Sequence, residues 1–337
     1  MKILVGLSGG VDSAYAALEL LRRGHDVGGA VLRMHQYTEI DAARRVAEQI
    51  GIPFFVIDCA EQFDSVVKTN FAEEYASART PNPCIICNER VKFASLRDFA
   101  LLNGYDMIAT GHYARIIRRG DRLTFGAAAD ARKDQSYMLY RLPQSIMNML
   151  VLPLSEVTKE HVRQTLSDAG IDIAEKPDSQ EICFLPDGGY ADFVEERCGA
   201  FLPGSFISDD GEVLGEHKGI IHYTVGQRKG LGISLGERMF VTAINALDNT
   251  VTLSREMSGK RTALLDSPVF MGIPAMVDEP LRVSVKVRYT ATPVTAVATP
   301  DGELVRLTFD TPVKAAPGQS AVAFDADGAL LFGGIIR

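Results

Sequence analysis

Positive charge is not in excess in this 337-residue chain: 35 Lys and Arg stand against 43 Asp and Glu, a formal net charge of −8. That excludes a protein that binds nucleic acid through a generally basic surface, so a polyanionic partner would have to be held by local basic patches. Only five cysteines occur, an odd number and low for the length, which excludes a secreted scaffold built on disulfides. No apolar run approaches the roughly 18–20 residues of a membrane span. The apolar stretch at residues 1–6 is too short for a signal peptide, and the expected location is the cytoplasm. No fixed-period repeat or low-complexity tract stands out. What is present is ordinary globular composition, 46% apolar and 23% charged. At roughly 100–200 residues per domain, the length asks for two or three domains.

The first part of the chain alternates apolar runs with helical patterns. Strands are expected at 3–5, 27–32, 54–57 and 107–109, and helices at 14–23, 39–50, 61–77 and 88–103. Gly24, Gly51 and Gly104 serve as helix stops. Strands separated by helices predict an α/β unit with a parallel sheet covered on both faces, whose ligands bind beyond the carboxyl ends of the strands. The character changes after Phe184. A turn cluster at 186–189 precedes a glycine-rich stretch at 199–236, and from Ser267 short β runs are separated by Pro300-Asp301-Gly302, Pro317-Gly318 and 325–328. That spacing predicts a small antiparallel β-barrel at the C-terminus. The expected division is 1–195, a small central α+β domain at 196–264, and the barrel at 265–337.

Gly6-Leu7-Ser8-Gly9-Gly10-Val11-Asp12-Ser13 follows the first strand and opens the first helix. Backbone N–H groups and the positive end of a helix dipole converge there, a ready site for phosphate. Gly9 and Gly10 let the backbone close on the anion. Ser8 and Ser13 can add hydroxyl donors, and Asp12 can hold Mg²⁺ between phosphates. The string has neither the Gly-Lys-Ser/Thr ending of a Walker A loop nor the Gly-x-Gly-x-x-Gly of a dinucleotide loop.

Thr80-Pro81-Asn82-Pro83-Cys84-Ile85-Ile86-Cys87-Asn88 lies between two expected helices. Two prolines predict an extended, exposed loop, with Cys87 at the N-terminus of the helix beginning at Asn88, where the dipole would lower a thiol pKa. Cys183 lies in another polar segment. Cys59 follows a buried strand and reads as packing, and Cys198 carries no surrounding signal. A structural zinc site would need a second Cys pair, which is absent. A thioredoxin-like redox pair would sit in a smaller domain without a phosphate loop. An iron–sulfur cluster on Cys84, Cys87 and Cys183, with one iron left open, stays in play.

The octapeptide 6–13 closely resembles the pyrophosphate loop of the N-type ATP pyrophosphatases, which split ATP between its α and β phosphates. Over essentially the whole chain the motifs, in order, resemble the bacterial tRNA-specific 2-thiouridylases. They are the octapeptide, residues 80–88, Ala109-Thr110-Gly111-His112-Tyr113, Lys133-Asp134-Gln135-Ser136-Tyr137, Glu181-Ile182-Cys183-Phe184, residues 223–232, Lys286-Val287-Arg288-Tyr289 and Pro317-Gly318-Gln319. Cys84 is an aspartate in some members of that family, so this chain is of the three-cysteine kind.

The resemblance implies ATP-dependent conversion of the C2 oxygen of the wobble uridine to sulfur. AMP transfer to that oxygen would make it a competent leaving group. It implies that ATP meets Gly6, Leu7, Ser8, Gly9, Gly10, Val11, Asp12, Ser13, Leu32 and Gly111. Cys183 would carry a persulfide and Cys87 would resolve it by thiol–disulfide exchange. Asn82, Pro83 and Cys84 would meet the target base, and His112, Lys133, Asp134, Gln135, Arg288, Tyr289 and Gln319 the tRNA. Expected partners are lysine, glutamine and glutamate tRNAs and a sulfur donor such as a cysteine desulfurase or relay protein. Thiolation through an iron–sulfur cluster on the same cysteines is the alternative; the persulfide account is preferred because two thiols suffice for the exchange. Another synthetase of the pyrophosphatase superfamily, and a non-catalytic tRNA-binding or iron–sulfur protein, are the remaining rivals. Independently of any family, Arg282, Ser284, Lys286 and Arg288 alternate with Val283, Val285, Val287 and Tyr289, which predicts a strand with a cationic face.

Overall fold

The computed structural model describes residues 1–173, 182–185 and 189–337. Residues 178–181 of the Cys183 motif and 186–188 of the expected turn cluster lie outside them. The N-terminal unit is a parallel five-stranded sheet in the order Phe54–Asp58, Asp26–Arg33, Lys2–Gly6, Met107–Ala109, Leu150–Val151. Ile3, Leu4 and Val5 of the central strand are fully buried, as a strand covered on both faces requires. The two faces belong to separate apolar clusters: Leu4, Ala30 and Ile108 pack on one side, Ile3, Val5, Val27 and Val31 on the other. The short edge strand Leu150–Val151 has too little sequence to announce itself.

Two long helices contain a π turn each. Ala60–Phe63, Asp64–Lys68 and Thr69–Ala76 run on without a break, as do Pro83–Cys87, Asn88–Lys92 and Phe93–Leu102. The second contradicts the expected loop at 80–88. Pro83 occupies the first helical turn behind Asn82, where its missing N–H is no loss and its fixed φ suits the helix. Cys84 and Cys87 are therefore helical residues, and the dipole argument for Cys87 fails because it stands at the end of the first helical segment.

A small four-stranded sheet follows, with Gly204–Ile207, Val213–His217, Phe240–Asn245 and Thr250–Ser254. The chain closes with a barrel of six antiparallel strands from Lys260–Phe270 to Leu330–Ile336. The expected architecture, an α/β sheet unit, a small central unit and a C-terminal antiparallel barrel, is thus present. The barrel strand Leu281–Lys286 keeps its expected alternation: Val283 and Val285 are buried and Arg282 is exposed. No helix among the described residues is long and apolar enough to cross a membrane.

The barrel is fastened to the sheet unit around the cysteine helix. The Thr80 N–H donates to Pro317 O at 2.9 Å, and the Gln319 amide donates to Thr80 O at 2.8 Å. Tyr137 Oη donates to Ser320 O at 2.8 Å, and Tyr140 Oη lies 3.1 Å from Ser320 Oγ. Arg122 reaches Met271 O and Phe270 O at 2.7 and 2.8 Å.

Candidate active site

The octapeptide 6–13 wraps the carboxyl end of the first strand and feeds the helix Val11–Arg22. Gly9 has φ +73°, and a Cβ there would lie 2.8 Å from Ala42 Cβ and 3.0 Å from Ala43 N, so the loop closes against the second helix. The Ser13 hydroxyl donates to Gly10 O at 3.0 Å and accepts the Ser8 N–H at 3.1 Å. The Gly10 N–H reaches Ser8 Oγ at 3.3 Å. Ser13 thus fixes the shape of the loop from inside. Asp12 Oδ1 accepts from Lys159 Nζ at 2.7 Å and from Tyr113 Oη at 2.9 Å.

In front of this loop lies a cavity of about 220 Å³ lined by Gly6, Leu7, Ser8, Asp12, Ser13, Val31, Leu32, Met34, Lys92, Leu96, Thr110, Gly111, His112 and Gln135. It sits at the carboxyl ends of the first, second and fourth strands, the place where open α/β sheets bind ligands. Gly111 is required there: a Cβ would lie 2.6 Å from Asp12 C and 2.7 Å from Ser13 N. Seven of the ten residues expected to meet ATP line the cavity, namely Gly6, Leu7, Ser8, Asp12, Ser13, Leu32 and Gly111. His112, expected against tRNA, lines the same cavity. Its Nδ1 is 2.8 Å from Thr110 Oγ1 and its ring packs 5.5 Å from Phe93. Burial, then the Lys92 charge, holds the imidazole well below its usual range, so it is neutral at pH 7.

The three cysteines meet beside that cavity. Cys87 is only 7% exposed, and its thiol lies 3.7 Å from the sulfur of Met34, itself a cavity residue. Burial pushes this thiol up to about 12; the charges of Cys183 and Cys84 push the same way, while Lys92 opposes them. Cys183 is raised too, by desolvation first and by Cys84 second, although its side chain is exposed. Its position is set by Phe184, whose ring packs against Phe63, Phe71 and Phe193 at 5.4–5.6 Å. Cys84 is exposed. Both thiols are raised and so protonated at pH 7, for Cys87 the reverse of the low-pKa expectation, because burial outweighs the single nearby cation. Among the described residues, no group of three or more His, Cys, Asp or Glu is arranged to hold a metal ion. The three thiols as placed do not form the ligand set of an iron–sulfur cluster. Cys59 is buried packing and Cys198 is exposed at a helix end.

The residues expected to touch tRNA separate into two kinds. Several are engaged within the protein. Asp134 accepts from Ser136 Oγ at 2.7 Å and from Ala128 N at 3.1 Å. Gln135 exchanges two hydrogen bonds with the Tyr113 backbone at 2.7 and 2.9 Å. Asn82 Nδ2 reaches Met138 Sδ at 3.5 Å, Pro83 is buried, and the Gln319 amide holds Thr80. Others face outward. Arg288 is exposed with one contact at 3.3 Å to Lys314 O, and Lys286 Nζ lies 5.6 Å from the Tyr289 ring centre. Lys286 and Tyr289 both lie close enough to Asp134 to feel its charge, and Tyr289 feels Lys133 as well. The Arg282 charge is met by Asp310 at 2.6 Å.

Sequence reasoning missed Lys92, Lys159, Tyr113 and Met34. Lys159 stands 147 residues from Asp12, and no local pattern could join them. Lys92 is five residues past Cys87 and would have been legible only with the π turn in view.

Comparison with known proteins agrees along the whole chain. Residues 1–187 match the family model described as "tRNA methyl transferase HUP domain", residues 191–255 the "tRNA methyl transferase PRC-barrel domain" and residues 260–336 the "Aminomethyltransferase beta-barrel domain". The tRNA-specific 2-thiouridylase MnmA of Acetivibrio thermocellus is 44% identical, with 100% of this chain and 99% of the relative covered. That of Clostridium acetobutylicum is 39% identical at the same coverages. Among solved structures, the NMN synthetase of Francisella tularensis matches 58% of this chain and 75% of its own at 18% identity and a TM-score of 0.36, too remote to bear on the site. Full-length identity at this level, on top of a phosphate loop and three converging cysteines, is decisive: the chain belongs to the tRNA-specific 2-thiouridylase family.

Proposed function

We propose that the chain is a cytoplasmic tRNA-uridine 2-sulfurtransferase that uses ATP and Mg²⁺ to activate the C2 oxygen of the wobble uridine and a persulfide to replace it. The observation that carries this reading is the grouping of Cys84, Cys87 and Cys183 beside the glycine-loop cavity, with the Cys87 thiol 3.7 Å from the sulfur of the cavity residue Met34. A synthetase of the same superfamily would need the loop but not the thiols. Methyl transfer would need neither a pyrophosphate loop nor paired cysteines.

The loop 6–13 holds the pyrophosphate half of the nucleotide through its backbone and helix dipole. Asp12, which Lys159 and Tyr113 keep in a single orientation, would face the Mg²⁺ that accompanies the nucleotide, and that ion would supply neutralisation of the phosphate charge. Asn82 and Cys84 border the space for the extruded base. Transfer of AMP to O2 converts a poor leaving group into a phosphate ester. The terminal sulfur of a Cys183 persulfide attacks C2 and AMP departs with the oxygen. The Cys87 thiolate then attacks the Cys183 sulfur and breaks the S–S bond. The electron pair stays with the sulfur on C2, giving 2-thiouridine and a Cys87–Cys183 disulfide. Because Cys87 is buried and protonated at rest, it is shielded from reacting with Cys183 early.

The test is nucleoside mass analysis of lysine, glutamine and glutamate tRNAs after incubation with the protein, ATP, Mg²⁺ and a cysteine desulfurase with cysteine. Formation of 2-thiouridine together with AMP and pyrophosphate is expected; ATP cleavage without thiolation would reject the reading.

A further inference from the structure

Of the side chains lining the nucleotide cavity, Lys92 is the one with a fixed positive charge. The other lysine nearby, Lys159, stands behind Asp12 and is bound to it at 2.7 Å. Lys92 has no carboxylate partner among the described residues. Its position follows from the π turn Asn88–Lys92, closed by the Phe93 N–H bonding to Asn88 O five residues back. On an α-helix five residues make about 1.4 turns, which would carry Lys92 away from the face that bears Cys87. The wider π turn returns it to that face, and such turns are frequent at functional sites. One ammonium therefore stands where the cavity and the thiols meet.

We propose that Lys92 is a further catalytic residue: its ammonium holds the phosphate of the bound nucleotide and, from the same place, supports the reacting thiols. This rests on the sulfurtransferase reading. The charges around it agree. Lys92 draws down Cys87 and Cys183 against their burial and helps to keep His112 neutral. Across the cavity, Asp12 is held by Lys159 and Tyr113. On the elements packed against Phe184, Asp64 is paired with Lys68 at 3.1 Å and Arg197 at 2.5 Å, and His35, beside Phe63, is held neutral by burial and Lys68. None of those charges is left over to replace Lys92. An unpaired cation in a cavity built for an anion is a preorganised electrostatic device, effective because it needs no reorganisation as charge develops.

The experiment uses the full chain with Lys92→Met and Lys92→Arg. Loss of one such donor should lower tRNA-dependent pyrophosphate release about a hundredfold in Lys92→Met, and Lys92→Arg should recover it to within about tenfold of wild type. Iodoacetamide labelling at neutral pH, mapped by peptide mass spectrometry, reads the thiols without turnover. Cys183 should react about tenfold more slowly in Lys92→Met because its thiolate fraction falls. Labelling of Cys198, exposed at the end of the helix Tyr190–Cys198, should not change and reports an intact fold. Wild-type pyrophosphate release in Lys92→Met would overturn the proposal. So would equal losses in both variants with Cys183 labelling unaltered, the signature of a merely structural lysine. A wild type that makes no 2-thiouridine would instead overturn the sulfurtransferase reading, while the labelling contrast would still decide what Lys92 does to the thiols.

Discussion

The two walls of the active site are built on opposite terms. The phosphate wall is finished: Ser8, Ser13 and Gly10 satisfy one another, Asp12 is held by two partners, and Gly111 closes tightly on the helix behind. The thiol wall is not. Cys87 and Cys183 are both neutral, Lys92 has no counter-charge among the described residues, and Asn88, 3% exposed, leaves Oδ1 without a partner while its amide donates to Met138 O at 3.1 Å. A buried acceptor without a bond costs on the order of 1–3 kcal/mol. The difference fits the order of the chemistry. On the proposed function, ATP would meet a preformed cradle, whereas the thiol side would hold its reactivity back until the activated base arrives.

The sharpest way to break this contrast is to remove thiols one at a time. Cys183→Ser should abolish 2-thiouridine formation outright while leaving pyrophosphate release in place. Cys84→Ser, which removes an exposed neighbour, should keep most thiolation in protein free of iron. With Cys87 raised to about 12, its thiolate fraction, and so the release step, should grow about tenfold per pH unit between 7 and 9. Equal loss of thiolation in all three single variants would reject the division of labour.

On the finished wall the largest effect is expected at Asp12. Asp12→Ala should reduce tRNA-dependent pyrophosphate release to background and remove the 2.7 Å ion pair of Lys159, whose side chain is only 10% exposed. Stability should therefore fall as well, by about 3–5 kcal/mol if the charge stays buried. Asp12→Asn separates the two effects, since the amide keeps an acceptor for Lys159 and Tyr113. If the Asp12→Asn variant melts close to wild type yet releases no pyrophosphate, the loss belongs to phosphate chemistry; full activity would sink that assignment.

The same contrast explains what could be seen in the sequence. The phosphate wall is contiguous, so a strand, a glycine-rich string and a helix announced it, and the barrel followed from alternation such as Val283 and Val285 against Arg282. The thiol wall depends on register and burial. Two prolines read as breaking helix at 80–88, yet Pro83 begins one, and a π turn shifted everything after Cys87 by a residue. A thiol at an expected helix N-terminus should be acidic; inside the helix and 7% exposed, it is the opposite. Gln319 was expected against tRNA from the family resemblance, and only the structure shows its amide holding Thr80.

That contact predicts a smaller, specific effect on the thiol wall. Gly318 has φ +88°, and a Cβ there would lie 2.7 Å from Thr80 N and 2.9 Å from Thr80 O. Gly318→Ala should cost about 1–3 kcal/mol and loosen the strap leading into the Cys84–Cys87 helix. Thiolation should drop about tenfold for a misplacement of a few tenths of an ångström to about 1 Å, with nucleotide binding unchanged. Gly24 is the control: its φ is +79° with nothing within 4 Å of a Cβ, so Gly24→Ala should cost about 1 kcal/mol of strain and no thiolation. Equal activity in the two variants would show that the barrel turn does not set the cysteines.

The smallest effect concerns how an acidic protein holds tRNA. Each phosphate neutralised by a cation releases counterions, so log affinity falls with log salt by about one per contact. The three cations here, Arg282 and Lys286 on a strand that ends at Lys286 rather than at Tyr289, and Arg288 just past its end, differ in what they have to give. Arg282 is met by Asp310 at 2.6 Å, so Arg282→Ala should leave the slope unchanged. Lys286 is half-buried against Tyr289 and feels Asp134, so its loss should change the slope by less than one. Arg288 is exposed and, among the described residues, donates to the Lys314 carbonyl oxygen at 3.3 Å without a carboxylate partner. Arg288→Ala should therefore reduce the slope by about one and weaken all three tRNAs alike, since a phosphate contact carries no sequence information. Filter-binding titrations from low to moderate salt would measure it. A slope that changes for Arg282→Ala and not for Arg288→Ala would mean that the tRNA runs along the opposite end of the strand, away from the patch shared with Lys133 and Asp134.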